Sequence, residues 1–182
     1  MKTLNKLFVD ALAEIYDAEI RLVGAMPLMA VAATCPFLKE AILTHFKETE
    51  GHLTNLDRIF KLIDERSKRK TSETTIALLN ESNEIMAHFK GFPVINAALI
   101  AALQKIEHYE IASYGCLRDW AAVLGHEEAA DLLQEILNDD KATNQAFTEL
   151  ARSLSNREAL KEDALIREHR DTDDHILMSA TV

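Results

Sequence analysis

The sequence predicts an all-α chain: a four-helix bundle made of two antiparallel helical hairpins, joined by a long crossover that contains a short helix. Three observations lead there. Apolar residues recur at helical spacing through four long segments. Only 5 Gly and 3 Pro punctuate 182 residues, which implies few, long elements rather than many short strands. The second half also echoes the first at an offset of 91 residues: Leu12 with Leu103, Ile15 with Ile106, Ile20 with Ile111, Met26 with Leu117 and Leu56 with Phe147.

The first helix is expected over about residues 3–33, where Leu4, Leu7, Phe8, Ala11, Leu12, Ile15, Leu22, Met26 and Met29 mark one stripe. Pro36 suits the first turn of a second helix, where its missing N–H costs nothing. That helix reaches about Arg66 and carries Ile42, Thr49, Leu56 and Ile63 on one heptad position, with His45, His52 and Ile59 on the next. Residues 66–73 read as a solvated basic linker. Ser72 or Thr74 is placed to cap a shorter helix from Ile76 to Phe89, ended by Gly91. A connection of this length suits a crossover that travels the height of the bundle, as ferritin-like topologies require.

Pro93 opens the third long helix, which stops at Gly125. Glu127 and Glu128 then favour the start of a fourth, where acids meet the positive end of the helix dipole. Its expected buried face is Leu132, Ile136, Asp139, Thr143, Ala146 and Leu150. Ser155 ends it or caps a short further helix. The bundle is assigned to residues 1–165, and residues 166–182 to a charged C-terminal tail.

Composition narrows the function. A length of 182 residues with 48% apolar content fits one domain with a full-sized core. A formal net charge of −10 argues against a nucleic-acid partner. No apolar run reaches membrane-spanning length, and the N-terminal residues form no signal peptide, so no membrane role is expected. Two cysteines are too few for a disulfide framework, which makes the cytoplasm the default location.

The chemistry resides in acids that interrupt the stripes. Glu19 sits inside the first stripe, and Glu110 sits inside the equivalent stripe of the third helix. A carboxylate isolated in a bundle core costs several kcal/mol, so it needs a partner. Glu48 follows Glu19 by 29 residues, and Asp139 follows Glu110 by the same 29. In antiparallel hairpins all four would lie about 14 residues from a turn, at similar height. One carboxylate from each long helix points to a pair of metal ions, iron or manganese, since thiolate ligands are missing.

The usual Glu-x-x-His turn would place histidines at positions 51 and 142, which are Gly51 and Ala142. His45, one turn before Glu48, is the preferred nitrogen ligand, with His52 supporting the site from behind; a core or rim histidine bonded to a neighbour is the blander alternative for either. Glu107, one turn before Glu110, is a further ligand candidate; its alternative is a surface acid paired with Lys105 or Lys141.

The stretches Tyr16-Asp17-Ala18-Glu19, His45-Phe46-Lys47-Glu48-Thr49, Ile106-Glu107-His108-Tyr109-Glu110-Ile111-Ala112 and Ile136-Leu137-Asn138-Asp139-Asp140-Lys141 together resemble the YciE/YciF family of bacterial ferritin-like stress proteins. The resemblance covers about residues 5–155 and is most specific in the third helix. It implies a di-metal carboxylate bundle, a homodimer and a link to stress responses. The family's usual glutamate in the fourth helix stands here as Asp139, one methylene shorter.

The leading expectation is therefore a di-iron carboxylate protein that reacts with dioxygen or peroxide, with a peroxidase- or ferroxidase-like oxidoreductase as one form of it. Glu48 and Asp139 would face both metals, Glu19 and Glu110 one each, and His45 would add a nitrogen. The alternative is a non-catalytic helical stress protein whose acids pair with Arg21, Lys47, Lys105 and Lys141.

Overall fold

The computed structural model describes residues 2–161; the expected tail, residues 166–182, lies outside them. Five α-helices follow one another: α1 Leu4–Ala32, α2 Pro36–Leu62, α3 Glu73–His88, α4 Val94–Val123 and α5 Glu127–Leu150. A π-helical turn, Ala151–Ser155, follows α5. The fold is the all-α, ferritin-like bundle expected from the sequence.

Local chemistry explains the boundaries. Thr3 caps α1 by accepting the Lys6 N–H, and Ser72 caps α3 by accepting the Thr75 N–H. Pro36 occupies the first turn of α2, behind Cys35. Gly125 takes a φ of +80° between α4 and α5, a left-handed conformation that a side chain would resist. Pro27 lies inside α1, but its ring faces solvent.

The core forms two apolar clusters, one towards each end of the bundle. The first gathers Phe8, Leu12 and Ile15 with Leu56, Phe60, Leu117 and Leu133. The second gathers Leu22, Met26 and Met29 with Ile42, Leu99, Leu103, Ile106 and Phe147. Chain direction follows from the order in which each helix meets them. α1 and α5 run from the first cluster to the second, whereas α2 and α4 run from the second to the first. The chain between α2 and α4 must therefore return the full height. α3 does so, packing Leu78, Leu79, Ile85 and Met86 against the second cluster.

The basic linker is not simply solvated, as the sequence had suggested. Asp17, buried in α1, accepts from Arg21 Nε at 2.6 Å, Arg69 Nε at 2.9 Å and the Ser72 N–H at 3.0 Å. The Lys70 N–H donates to the Ala13 carbonyl at 2.9 Å. Buried Asp17 thus ties the crossover to α1. Hydrophobicity alone gives no sign of this clamp.

Candidate metal centre

A polar layer separates the two apolar clusters. On α1, Glu19 falls between Ile15 of the first cluster and Leu22 of the second. On α4, Glu107 and Glu110 fall between Ile106 and Tyr114. On α2, His45 and His52 lie between Ile42 and Leu56, and on α5, Asp140 lies between Leu137 and Phe147. Glu19, Glu107, Glu110 and Asp140 are all fully buried, and both histidines nearly so. Each interruption occurs at the same level, which is why the core divides in two.

Few hydrogen bonds compensate this burial. Among the described residues, both oxygens of Glu107, Glu110 and Asp140, one oxygen of Glu19, and both ring nitrogens of His45 and His52 have no hydrogen-bond partner. The groups nevertheless crowd together. His45 Nε2 lies 3.0 Å from Glu107 Oε1, and one ligand atom each from His45, Glu107 and Glu110 lies within 4.8 Å of the others. His52 Nδ1 lies 3.5 Å from Glu19 Oε1 and 3.8 Å from Asp140 Oδ1. The Tyr114 hydroxyl donates to Glu19 Oε1.

Protonation in the metal-free chain follows from burial and proximity. Burial, then the neighbouring Asp140 and Glu19 charges, push Glu107 up to about 10. Burial and Glu19 raise Asp140 to about 8, against the pull of His52. Burial, Glu19 and Asp140 hold Glu110 well above its ordinary value. Burial drives His45 down to about 3, with His52 adding to it. Burial opposes the charge on His52 too, but Glu19, Asp140 and Asp139 overcome it and raise the ring to about 9. The short His45–Glu107 approach is therefore a contact between neutral groups until a cation displaces the proton.

The expected site residues are not all equivalent. Glu19, His45, Glu107 and Glu110 meet in the polar layer. Glu48 stands at its edge, half-buried, accepting from Thr143 Oγ1 at 2.9 Å and lying 3.9 Å from His45 Nδ1. Asp139, expected on the buried face of its helix, is exposed instead. The buried face of α5 runs through Leu133, Ile136, Leu137, Asp140, Thr143 and Phe147, and Ala146 is exposed. A stripe through Ile136 and Thr143 fits either phase. Leu133, Leu137 and Phe147 decide it, turning Asp140 inward by one residue, or about 100° of helix.

Sequence reasoning missed Asp140 and left His52 outside the ligand set. The offset that related the hairpins holds nonetheless. Shifted by 91 residues, Thr49 matches Asp140, both fully buried, and Glu48 matches Asp139, both nearer the surface. The repeated 29-residue spacing thus joins an acid inside the site, Glu19 or Glu110, to an acid at its rim, Glu48 or Asp139.

The donor set suits hard or borderline divalent ions. It offers carboxylate oxygens and imidazole nitrogens with no thiolate, and four buried carboxylates balance the charge of two dications. Orphaned polar atoms on all four long helices are what such ions would satisfy.

Comparison with known proteins agrees with the fold and with the expected family. The chain is 38% identical over 160 residues to Protein YciF of Escherichia coli (strain K12), spanning 87% of this chain and 96% of that one. The crystal structure of that E. coli stress protein matches with a TM-score of 0.82, over 86% of this chain and 99% of the other. YcfI, a putative structural protein from Rhodopseudomonas palustris, matches at 33% identity and a TM-score of 0.79, over 81% and 94%. A Xanthomonas campestris protein of 21% identity shares the fold at a TM-score of 0.70, over 88% and 99%. Residues 3–160 match the DUF892 family, described as a domain of unknown function, and with the YciF relationship spanning nearly the whole of both chains, this protein belongs to that family.

Proposed function

We propose that this protein binds two divalent ions, iron or manganese, in the polar layer between its apolar clusters, and that it acts on dioxygen or peroxide in a stress response. One observation carries the reading: four fully buried carboxylates from three helices share a space with two buried histidines, and among the described residues all their oxygens and nitrogens but one Glu19 oxygen are left without hydrogen-bond partners. Glu19, Glu107, Glu110 and Asp140 would hold the ions with His45 and His52, and Glu48 would close the set at its edge. Bound iron would supply redox cycling towards an oxygen-containing substrate.

The chain's own residues would do the rest. The Tyr114 hydroxyl orients Glu19 from a fully buried position. Thr143 fixes Glu48 across the α2–α5 seam. The apolar clusters above and below exclude water and confine reactive species. The E. coli relative is described as a stress protein, which supports the stress role. The family resemblance supports a homodimer; among the described residues, no helix is long and apolar enough to cross a membrane.

A purely structural role, in keeping with the description of the Rhodopseudomonas relative, would leave the acids of the layer to their own protons and to the His52 imidazolium, with no lysine or arginine among the described residues to help. Arg21 pairs with Asp17, and Lys105 pairs with Glu81, and neither acid belongs to the polar layer. Elemental analysis of the purified protein, followed by anaerobic iron addition and then peroxide, separates the two. Near two ions per chain with iron oxidation on mixing supports the proposal. No stoichiometric metal, and no gain in melting temperature on adding iron, manganese or cobalt, overturns it.

A further inference from the structure

Two carboxylates at the rim of the site differ from the four inside it. Glu48 is 34% exposed at its side chain and Asp139 is 55% exposed, whereas Glu19, Glu107, Glu110 and Asp140 are 0%. Each rim acid faces a buried histidine that touches an inner acid on its other side. His45 has Glu48 3.9 Å from Nδ1 and Glu107 3.0 Å from Nε2. His52 has Asp139 3.6 Å from Nε2, with Glu19 and Asp140 on the side of Nδ1. Both histidines lie on α2, and among the described residues neither nitrogen of either ring has a hydrogen-bond partner.

The same seam is open to solvent. A groove of about 470 Å³ runs between α2 and α5, with Glu48, Thr44, Ala142, Thr143 and Ala146 among its lining residues and Phe37, Phe147 and Leu150 also on its walls. Glu48 lines this groove and is part-exposed, next to the small side chains of Thr44, Ala142 and Ala146. Gly51, one turn beyond Glu48, has open space where a Cβ would stand. By contrast, the groove on the α1–α4 face, about 340 Å³ and lined by Ala11, Tyr109, Cys116 and Trp120 among others, includes none of the site's acids or histidines.

We propose that divalent cations enter through the α2–α5 seam, where Glu48 and Asp139 capture them and His45 and His52 pass them to the buried carboxylates. Asp139 is then a capture residue rather than a permanent ligand. The proposal rests on the metal-binding reading above. A rim carboxylate replaces part of the ion's hydration while water still reaches it, so the buried acids need not strip a hexa-aqua ion in one step. The histidines, accessible to the rim on one side and the interior on the other, supply the intermediate ligand.

Stopped-flow mixing of the metal-free full chain with Co²⁺ alone tests this, with the visible cobalt bands reporting uptake rate and final stoichiometry. Asp139→Asn weakens capture, and Ala146→Phe narrows the groove. Glu84→Gln removes an exposed acid elsewhere, and Ala112→Phe fills the α1–α4 groove. The expected result is uptake slowed on the order of tenfold in Asp139→Asn and in Ala146→Phe. Final stoichiometry should match the wild type in both, and the two control variants should load at the wild-type rate. Wild-type rates in both seam variants at full stoichiometry would overturn the entry route and leave the metal reading standing. Lowered stoichiometry in Asp139→Asn would make Asp139 a ligand and overturn the capture role. A wild-type chain that takes up no Co²⁺ would overturn the metal reading and this proposal together.

Discussion

His45 on α2 and Glu107 on α4 meet across the bundle, Nε2 to Oε1 at 3.0 Å, with both side chains buried. Burial drives both groups towards their neutral forms, so their contact carries little cost in the metal-free chain. Glu107→Gln keeps the shape and the neutrality. It should therefore change the metal-free melting temperature little, within the effect of about 1 kcal/mol. It should abolish most of the rise in melting temperature on adding Co²⁺, because an amide offers no charge to the ion. Thermal melts with and without Co²⁺ check both halves. An intact metal-dependent rise would place Glu107 outside the site.

Metal-free protein should lose stability as pH rises above neutrality. In the folded chain Glu107, at about 10, and Asp140, at about 8, keep protons that the unfolded chain releases near 4.5 and 3.8. The folded state then binds more protons, so stability falls with pH, by at most about 1.4 kcal/mol per unit per group. His52, raised to about 9, acts in the same direction: its contribution is complete below 6.5 and lost through 9. His45, at about 3, opposes only on the acid side, where stability falls as pH drops below 6.5. A melting temperature lower by about 5 °C at pH 8 than at pH 6.5 is expected for the metal-free chain. Saturating Co²⁺ should flatten or reverse the trend, because ligands bind deprotonated and release protons. A flat profile without metal would mean that the acids are hydrated rather than buried.

Asp17 governs the crossover. Burial alone would raise its carboxyl, but donors from Arg21, the Ser72 backbone and Arg69 hold it below the ordinary 3.8. A depressed folded value stabilises above 3.8 and is lost as pH falls further. Asp17→Asn should cost about 1–3 kcal/mol at pH 7, with a smaller difference from the wild type in strong acid. Hydrogen exchange at the Lys70 and Ser72 amides should speed up more than exchange in the centre of α4. Uniform loss of protection would indicate global destabilisation and no local clamp.

Tyr114 is fully buried and donates to Glu19. Tyr114→Phe removes the hydroxyl and leaves that Glu19 oxygen without its donor. The metal-free chain should lose about 1–2 kcal/mol in chemical denaturation. Loss in the Co²⁺-loaded chain should be smaller, because the ion then satisfies the carboxylate. Equal losses in both forms would place Glu19 away from the ion.

The acids divide into those legible in one dimension and those that are not. Glu19 and Glu110 stand in long stripes between large residues on both sides, Ile15 and Leu22 for one, Ile106 and Leu117 for the other, so only one helical phase is consistent. On α5 the neighbours Asp139 and Asp140 compete for the inward position, and Ile136 and Thr143 are compatible with either. His45 and His52 were both visible on one side of α2. What each faces on α4, α1 and α5 was not.

From the sequence alone follow five helices, their breaks at Pro36, the basic linker and Gly125, the two related hairpins, and the presence of acids where a core should be. Those properties are local, set by periodicity, caps and the residues that break helices. Which of two adjacent carboxylates is buried, how deep each histidine sits, and which basic residue reaches Asp17 depend on how four helices rotate against one another. One residue along a helix turns a side chain by about 100°, and only packing against neighbouring helices selects between such phases.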